Sequence, residues 1–146
     1  MPEVPALVDT RIYLPALVMV LLTIAVSFRM YAMRVAQMKR DRIHPQAVAT
    51  STQSAARLTD CRAADNFKNL FEIPILFYLA IVVAATSGQV TTLTLGLAWL
   101  FVALRIVHSF IQCTYNKVMH RFYTYITGCF ALWILWAVLG YGLLLR

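Results

Sequence analysis

The chain alternates long apolar runs with short polar ones, and the lengths of the runs set the expected fold. Residues 12–28 carry no charge, and their pattern continues as a basic extension to about residue 38. A second run, 73–87, is short alone and becomes sufficient when the preceding turns are added. A third starts at 90 and passes Arg105 to about 115; a fourth covers 122–145 without a charge. A spanning helix needs about 20 apolar residues. The pattern therefore predicts four transmembrane helices over about 12–38, 66–87, 90–115 and 121–145. Short turns at 87–89 and 116–120 make successive helices antiparallel neighbours. The expected fold class is an all-α integral membrane protein, one domain over 1–146, built as an up-and-down four-helix bundle.

Composition agrees with the pattern. The 146 residues are 61% hydrophobic and 13% charged, where soluble domains have roughly 45–50% apolar and about 25% charged residues. Lys and Arg are unevenly distributed. Arg29, Arg34, Lys39, Arg40, Arg42, Arg57, Arg62 and Lys68 lie between the first and second spans, and Arg105, Lys117 and Arg121 near the third connection. Only Arg11 and Arg146 lie on the opposite side. The positive-inside rule then puts both termini outside the cytoplasm and both basic connections within it. Much of the +7 net charge follows from that rule, and no soluble basic module calls for nucleic acid. Glu3 and Asp9 precede the first span without a basic leader, so the first helix is expected to stay in the mature protein. Cys61, Cys113 and Cys129 are widely spaced, with no CxxC pair, and suggest neither a disulfide framework nor a metal site. The connection from 39 to 59 contains His44-Pro45, which interrupts helix, and a small polar stretch at 47–58 suited to a short surface helix or a loop.

Strong polar side chains recur at helical spacing at one end of three spans. Arg62, Asn66, Asn69 and Glu72 climb one face of the second. Pro74 follows, withdrawing the partner of the Leu70 carbonyl and favouring a kink or local opening. Arg105, His108, Gln112 and Tyr115 share a face of the third, and Arg121 and Tyr125 open the fourth. Arg29 lies one turn deeper than the basic flank of the first span. Ionisable groups at membrane depth are expensive and mark functional sites. Three guanidinium forks suit carboxylates, Glu72 suits an ammonium or an arginine, and the asparagines supply donors and acceptors. The set fits a small zwitterion rich in negative groups. An internal salt-bridge network locking the bundle is the competing reading.

Arg62-Ala63-x-x-Asn66-Phe67 resembles the second-helix motif of the membrane-associated proteins in eicosanoid and glutathione metabolism, the MAPEG family. Arg105-x-x-His108-Ser109 resembles its third-helix element. Arg121 and Tyr125 fall where its glutathione-using prostaglandin E synthases place an arginine and a tyrosine. The resemblance implies a homotrimer of four-helix bundles with pockets between subunits near the cytoplasmic face. It implies glutathione as co-substrate, with a hydrophobic second substrate drawn from the membrane. Arg62, Asn66, Arg105, His108 and Tyr125 would bind, and Arg121 would stabilise the thiolate as the catalytic residue. Arg29, Asn69, Glu72, Gln112 and Tyr115 complete the substrate-binding set. The second-helix register has two solutions: with Asn66 as the family asparagine, Asn69 replaces the usual glutamate; with Asn69 there, Glu72 takes the glutamate position. Gln112 stands where a tyrosine is common, and Phe122 where the prostaglandin enzymes carry a serine.

Two functions follow as expectations. One is a glutathione-dependent transferase or peroxidase acting on lipophilic electrophiles or lipid hydroperoxides. The other is a non-catalytic lipid-binding or partner-presenting membrane protein. A channel or transporter fits less well, since one polar cluster at one face outlines no path across the bilayer. The expected location is a multi-pass membrane protein, of the inner membrane in a bacterium.

Overall fold

The computed structural model describes residues 9–145; Glu3 and Arg146, used above for the leader and the charge distribution, lie outside the described residues. A 3₁₀ turn, Thr10–Ile12, leads into α1, Tyr13–Arg40. A second 3₁₀ turn, Pro45–Val48, and α2, Ser51–Arg57, form the basic connection. The other spans are α3 with α4, Arg62–Asn69 and Ile73–Thr86, then α5, Thr92–Cys113, and α6, Val118–Leu144. Among the described residues, four segments are long and apolar enough to cross a membrane: Thr10–Arg40, Arg62–Thr86, Thr92–Cys113 and Val118–Leu144.

Local chemistry explains the boundaries. Thr50 and Gln53 form a capping box that starts α2, and Thr91 and Thr94 form another that starts α5. The second span differs most from the sequence expectation of one helix over 66–87. It begins earlier, at Arg62, and it is broken at 70–72. Leu70 N–H is shared between the Asn66 and Phe67 carbonyls at 3.1 and 3.2 Å, which tightens the last turn of α3. Glu72 then takes φ −97° and ψ −102°, outside the helical region, and Pro74 stands in the first turn of α4. The opening expected next to Pro74 is therefore real and lies just before it, because the proline has no N–H to offer the Leu70 carbonyl. The third and fourth helices begin and end within a few residues of their expected limits.

The spans are ordered in a ring of first, second, fourth and third: α1 packs on α3 and α5, α4 on α6, and α5 most extensively on α6. Phe77 of α4 is fully buried and stacks on Phe101 of α5, with ring centroids 4.7 Å apart and planes at 20°. Met19, Ala80, Ala84, Leu132, Leu135 and Leu139 fill the space around this pair. Trp136 of α6 donates its indole N–H to the Leu76 carbonyl across the bundle, at 3.2 Å. Large apolar side chains are exposed on the outer surface of every span, as expected where the solvent is lipid.

Candidate functional site

The polar residues gather at the basic end of the bundle and divide onto two sides of the end of α5. On the side toward α1 and α3, the Arg29 guanidinium donates through Nη2 to the Cys113 carbonyl at 2.7 Å. Arg62 donates through Nη1 to the Thr114 carbonyl. Both cations thus sit on the unpaired carbonyls that end a helix, where positive charge is favoured. Arg62 also forms a two-pronged ion pair with Asp60, with Nη2 2.7 Å from Oδ2 and Nε 2.9 Å from Oδ1. That guanidinium holds the Asp60 carboxyl below the usual carboxylate range. Asn66 is wholly buried between them, accepting from the Ser109 hydroxyl at 3.2 Å and donating to the Cys113 sulfur at 3.4 Å.

On the side toward α6 a second network forms. Asn69 donates Nδ2–H to Gln112 Oε1 at 3.0 Å, and His108 Nε2 lies 3.0 Å from the same oxygen. The opposite ring nitrogen, His108 Nδ1, donates to the Arg121 carbonyl at 3.1 Å. A carbonyl can only accept, so this contact fixes a hydrogen on Nδ1. Arg121 donates Nη1–H to Asn116 Oδ1 at 2.8 Å. Asn116 is placed for this by a left-handed turn, φ +49°, which asparagine tolerates better than most residues. Asn69, His108, Val118, Arg121, Phe122 and Tyr125 line a hollow of about 220 Å³.

Behind Tyr125 lies Arg105, 1% exposed. Its guanidinium stands 4.7 Å from the Tyr125 ring centroid and 5.2 Å from that of Phe101. None of its three nitrogens has a hydrogen-bond partner among the described residues. Ring faces attract a cation by about 0.5–2 kcal/mol, well short of the several kcal/mol that removing an ion from water costs. Arg105 is a permanent charge in the bundle without a counter-charge in contact.

The structure thus brings Asn69, His108, Gln112, Arg121 and Tyr125 together, with Arg105 immediately behind them. Arg29, Arg62 and Asn66 form a separate cluster. A largely apolar hollow of about 360 Å³, bounded by Leu22, Val26, Arg29, Ile106 and Phe110, lies beside that cluster, between α1 and α5. Two expected residues stand apart. The break at 70–72 turns Glu72 outward, off the face of Asn66 and Asn69, and it is exposed. Tyr115 lies past the end of α5, where its hydroxyl is 3.1 Å from His120 Nδ1. Its expected step on the stripe fails because the helix stops first. Asn116, Asp60 and Ser109 were not singled out as site residues, and only their positions beside the arginine and histidine motifs could have pointed to them.

No curated protein and no solved structure matches the chain. The model of the MAPEG family matches residues 12–141, a stretch that takes in all but the outermost residues of the four spans and both polar clusters. The chain belongs to the MAPEG family.

Proposed function

We propose that this protein is a glutathione-dependent transferase or peroxidase acting on lipophilic electrophiles or lipid hydroperoxides in the membrane. The observation that carries the reading is the hollow lined by Asn69, His108, Arg121 and Tyr125 with the unpaired Arg105 behind it. A peptide thiol with two carboxylates fits a site that has amide donors and arginine forks in surplus over carboxylates. Arg121 stands at the rim with one nitrogen engaged by Asn116. As a fixed cation it stabilises a thiolate, the nucleophilic form of a thiol. Phe122 brings no hydroxyl to the sulfur, so thiol activation rests on the arginine.

A hollow of about 220 Å³ falls below the ~300–1,000 Å³ of ligand pockets, so one chain supplies only part of the walls. A homotrimer, with a neighbouring subunit closing each hollow, completes them. In this reading both termini face away from the cytoplasm, glutathione enters from the cytoplasmic side, and the second substrate arrives from the bilayer. A bacterial host would place the protein in its inner membrane.

One observation favours a non-catalytic lipid binder: the hollow between α1 and α5 is almost wholly apolar and needs no thiol to be filled. Calorimetric titration of the purified protein with glutathione decides between the two, followed by assays with an aryl halide and a lipid hydroperoxide. Saturable glutathione binding with turnover of either substrate supports the enzyme. Absence of glutathione binding by an intact oligomer favours the lipid binder.

A further inference from the structure

Resting on the glutathione reading, we infer that Tyr125 is the general acid of hydroperoxide reduction and that Arg105 is its positioning residue, holding the phenolate formed when the proton leaves. The argument starts from the orphan cation. Arginine keeps its proton in proteins, so Arg105 stays charged, and among the described residues no anion is hydrogen-bonded to it in the resting protein. The polar side chain stacked on it from the neighbouring helix is Tyr125. Negative charge on the Tyr125 oxygen would give the guanidinium the partner it lacks. An interaction absent in the ground state and formed as the reaction proceeds is the kind that accelerates chemistry rather than binding.

The other groups lining the hollow are less free to give a proton. Asn69 has only amide hydrogens, and Arg121 does not release a proton. His108 has Nδ1 committed to the Arg121 carbonyl and Nε2 against Gln112. Tyr125 borders the hollow on one side and meets Arg105 on the other, and His108 packs against its ring with centroids 5.6 Å apart. It is the lining side chain that combines a dissociable proton with a waiting counter-charge.

The step balances. The glutathione thiolate attacks the terminal oxygen of the hydroperoxide, an S–O bond forms, and the O–O bond breaks. The products are a glutathione sulfenic acid and a lipid alkoxide, and the alkoxide takes the Tyr125 proton to become the alcohol. A second glutathione condenses with the sulfenic acid to give the disulfide and water. The proton released when the first thiol ionised returns to the phenolate. Two thiols are oxidised to one disulfide while one hydroperoxide is reduced to alcohol and water.

Leaving groups separate this role from a structural one. Alkoxide leaves poorly without a proton, whereas the halide of an aryl halide needs none. The wild type, Tyr125→Phe, Arg105→Gln and Arg105→Lys are to be compared for glutathione binding by calorimetry and for turnover of a lipid hydroperoxide and an aryl halide. In Tyr125→Phe the loss on the hydroperoxide should exceed the loss on the aryl halide by about 100-fold, the size of a general-acid effect. Arg105→Gln should shift that ratio the same way, and Arg105→Lys should restore part of it. Equal losses on both substrates overturn the inference, as does hydroperoxide turnover by Tyr125→Phe at the wild-type rate. A wild type that binds glutathione yet reduces no hydroperoxide also overturns it and leaves the binding reading standing. A wild type that binds no glutathione removes both. If Arg105→Gln does not fold, the ratio measured in Tyr125→Phe and Arg105→Lys decides alone.

Discussion

Arg121 and Arg62 show how the same side chain serves two ends in two neighbouring clusters. Arg62 is saturated by Asp60 and the Thr114 carbonyl, while Arg121 has one nitrogen on Asn116. Arg121→Ala should therefore act on the bound sulfur. Losing the cation raises the thiol pKa toward its free value of about 8.5, so turnover falls at neutral pH and partly recovers at higher pH, as a pH–rate profile would show. Asp60 carries a prediction of opposite character. Its pKa is lowered in the folded protein by Arg62, so its contribution to stability is fully present above the unfolded value of about 3.9 and is lost as pH falls through the folded value. Asp60→Asn should lower the melting temperature in detergent at pH 7, and the difference from wild type should vanish in strong acid. A difference that persists in acid would assign the effect to something other than the ion pair. Residue-level reading of the sequence located Arg62, Asn66, His108 and Arg121 by spacing. It could not tell which cations would be taken up by helix-end carbonyls, since those partners lie in another span.

At the scale of elements, the second span carries most of the difference between expectation and structure. Hydropathy reports how long an apolar run is, and the segment it marked is long and apolar enough to cross a membrane. It says little about continuity, and the break at 70–72 depends on the missing N–H of Pro74 combined with the shared Leu70 hydrogen bond. The consequence reaches the site, because the break separates Glu72 from Asn69. Hydrogen exchange followed by mass spectrometry should show faster exchange over 70–73 than in the middle of α5, where the helix is uninterrupted. Equal protection in the two segments would mean that the span is continuous in the membrane. The packing of α4 on α5 is tested at Phe77, whose ring is buried against Phe101. Phe77→Ala should cost about 3–5 kcal/mol by leaving a cavity, measurable by reversible unfolding in mixed micelles. The start of α5 was legible from run length to within two residues, expected at 90 and found at Thr92, although its Thr91–Thr94 capping box was not read from the sequence. The end of α5 ahead of Tyr115 was not, because it is fixed by the left-handed turn at Asn116.

On the scale of the whole molecule, membrane residence and the four-helix architecture follow from run length, and the family match covers the same region. Sidedness rests on the distribution of Lys and Arg. Reporter fusions should find the 47–58 connection in the cytoplasm and the C-terminus across the membrane; an active cytoplasmic reporter at the C-terminus would reverse the orientation. Native mass spectrometry in a mild detergent should give trimers, since the hollow beside Tyr125 is too small alone for a tripeptide. Monomers or dimers only would count against shared pockets. The central claim is that this bundle binds glutathione and activates its thiol. Its most direct test is the thiolate absorbance of the glutathione complex, followed against pH in wild type and in Arg121→Ala. The account predicts that glutathione bound to the wild type ionises well below the free thiol, and that glutathione bound to the variant ionises close to it. Glutathione that binds the wild type but titrates like the free thiol would contradict activation and leave the protein a binder without chemistry.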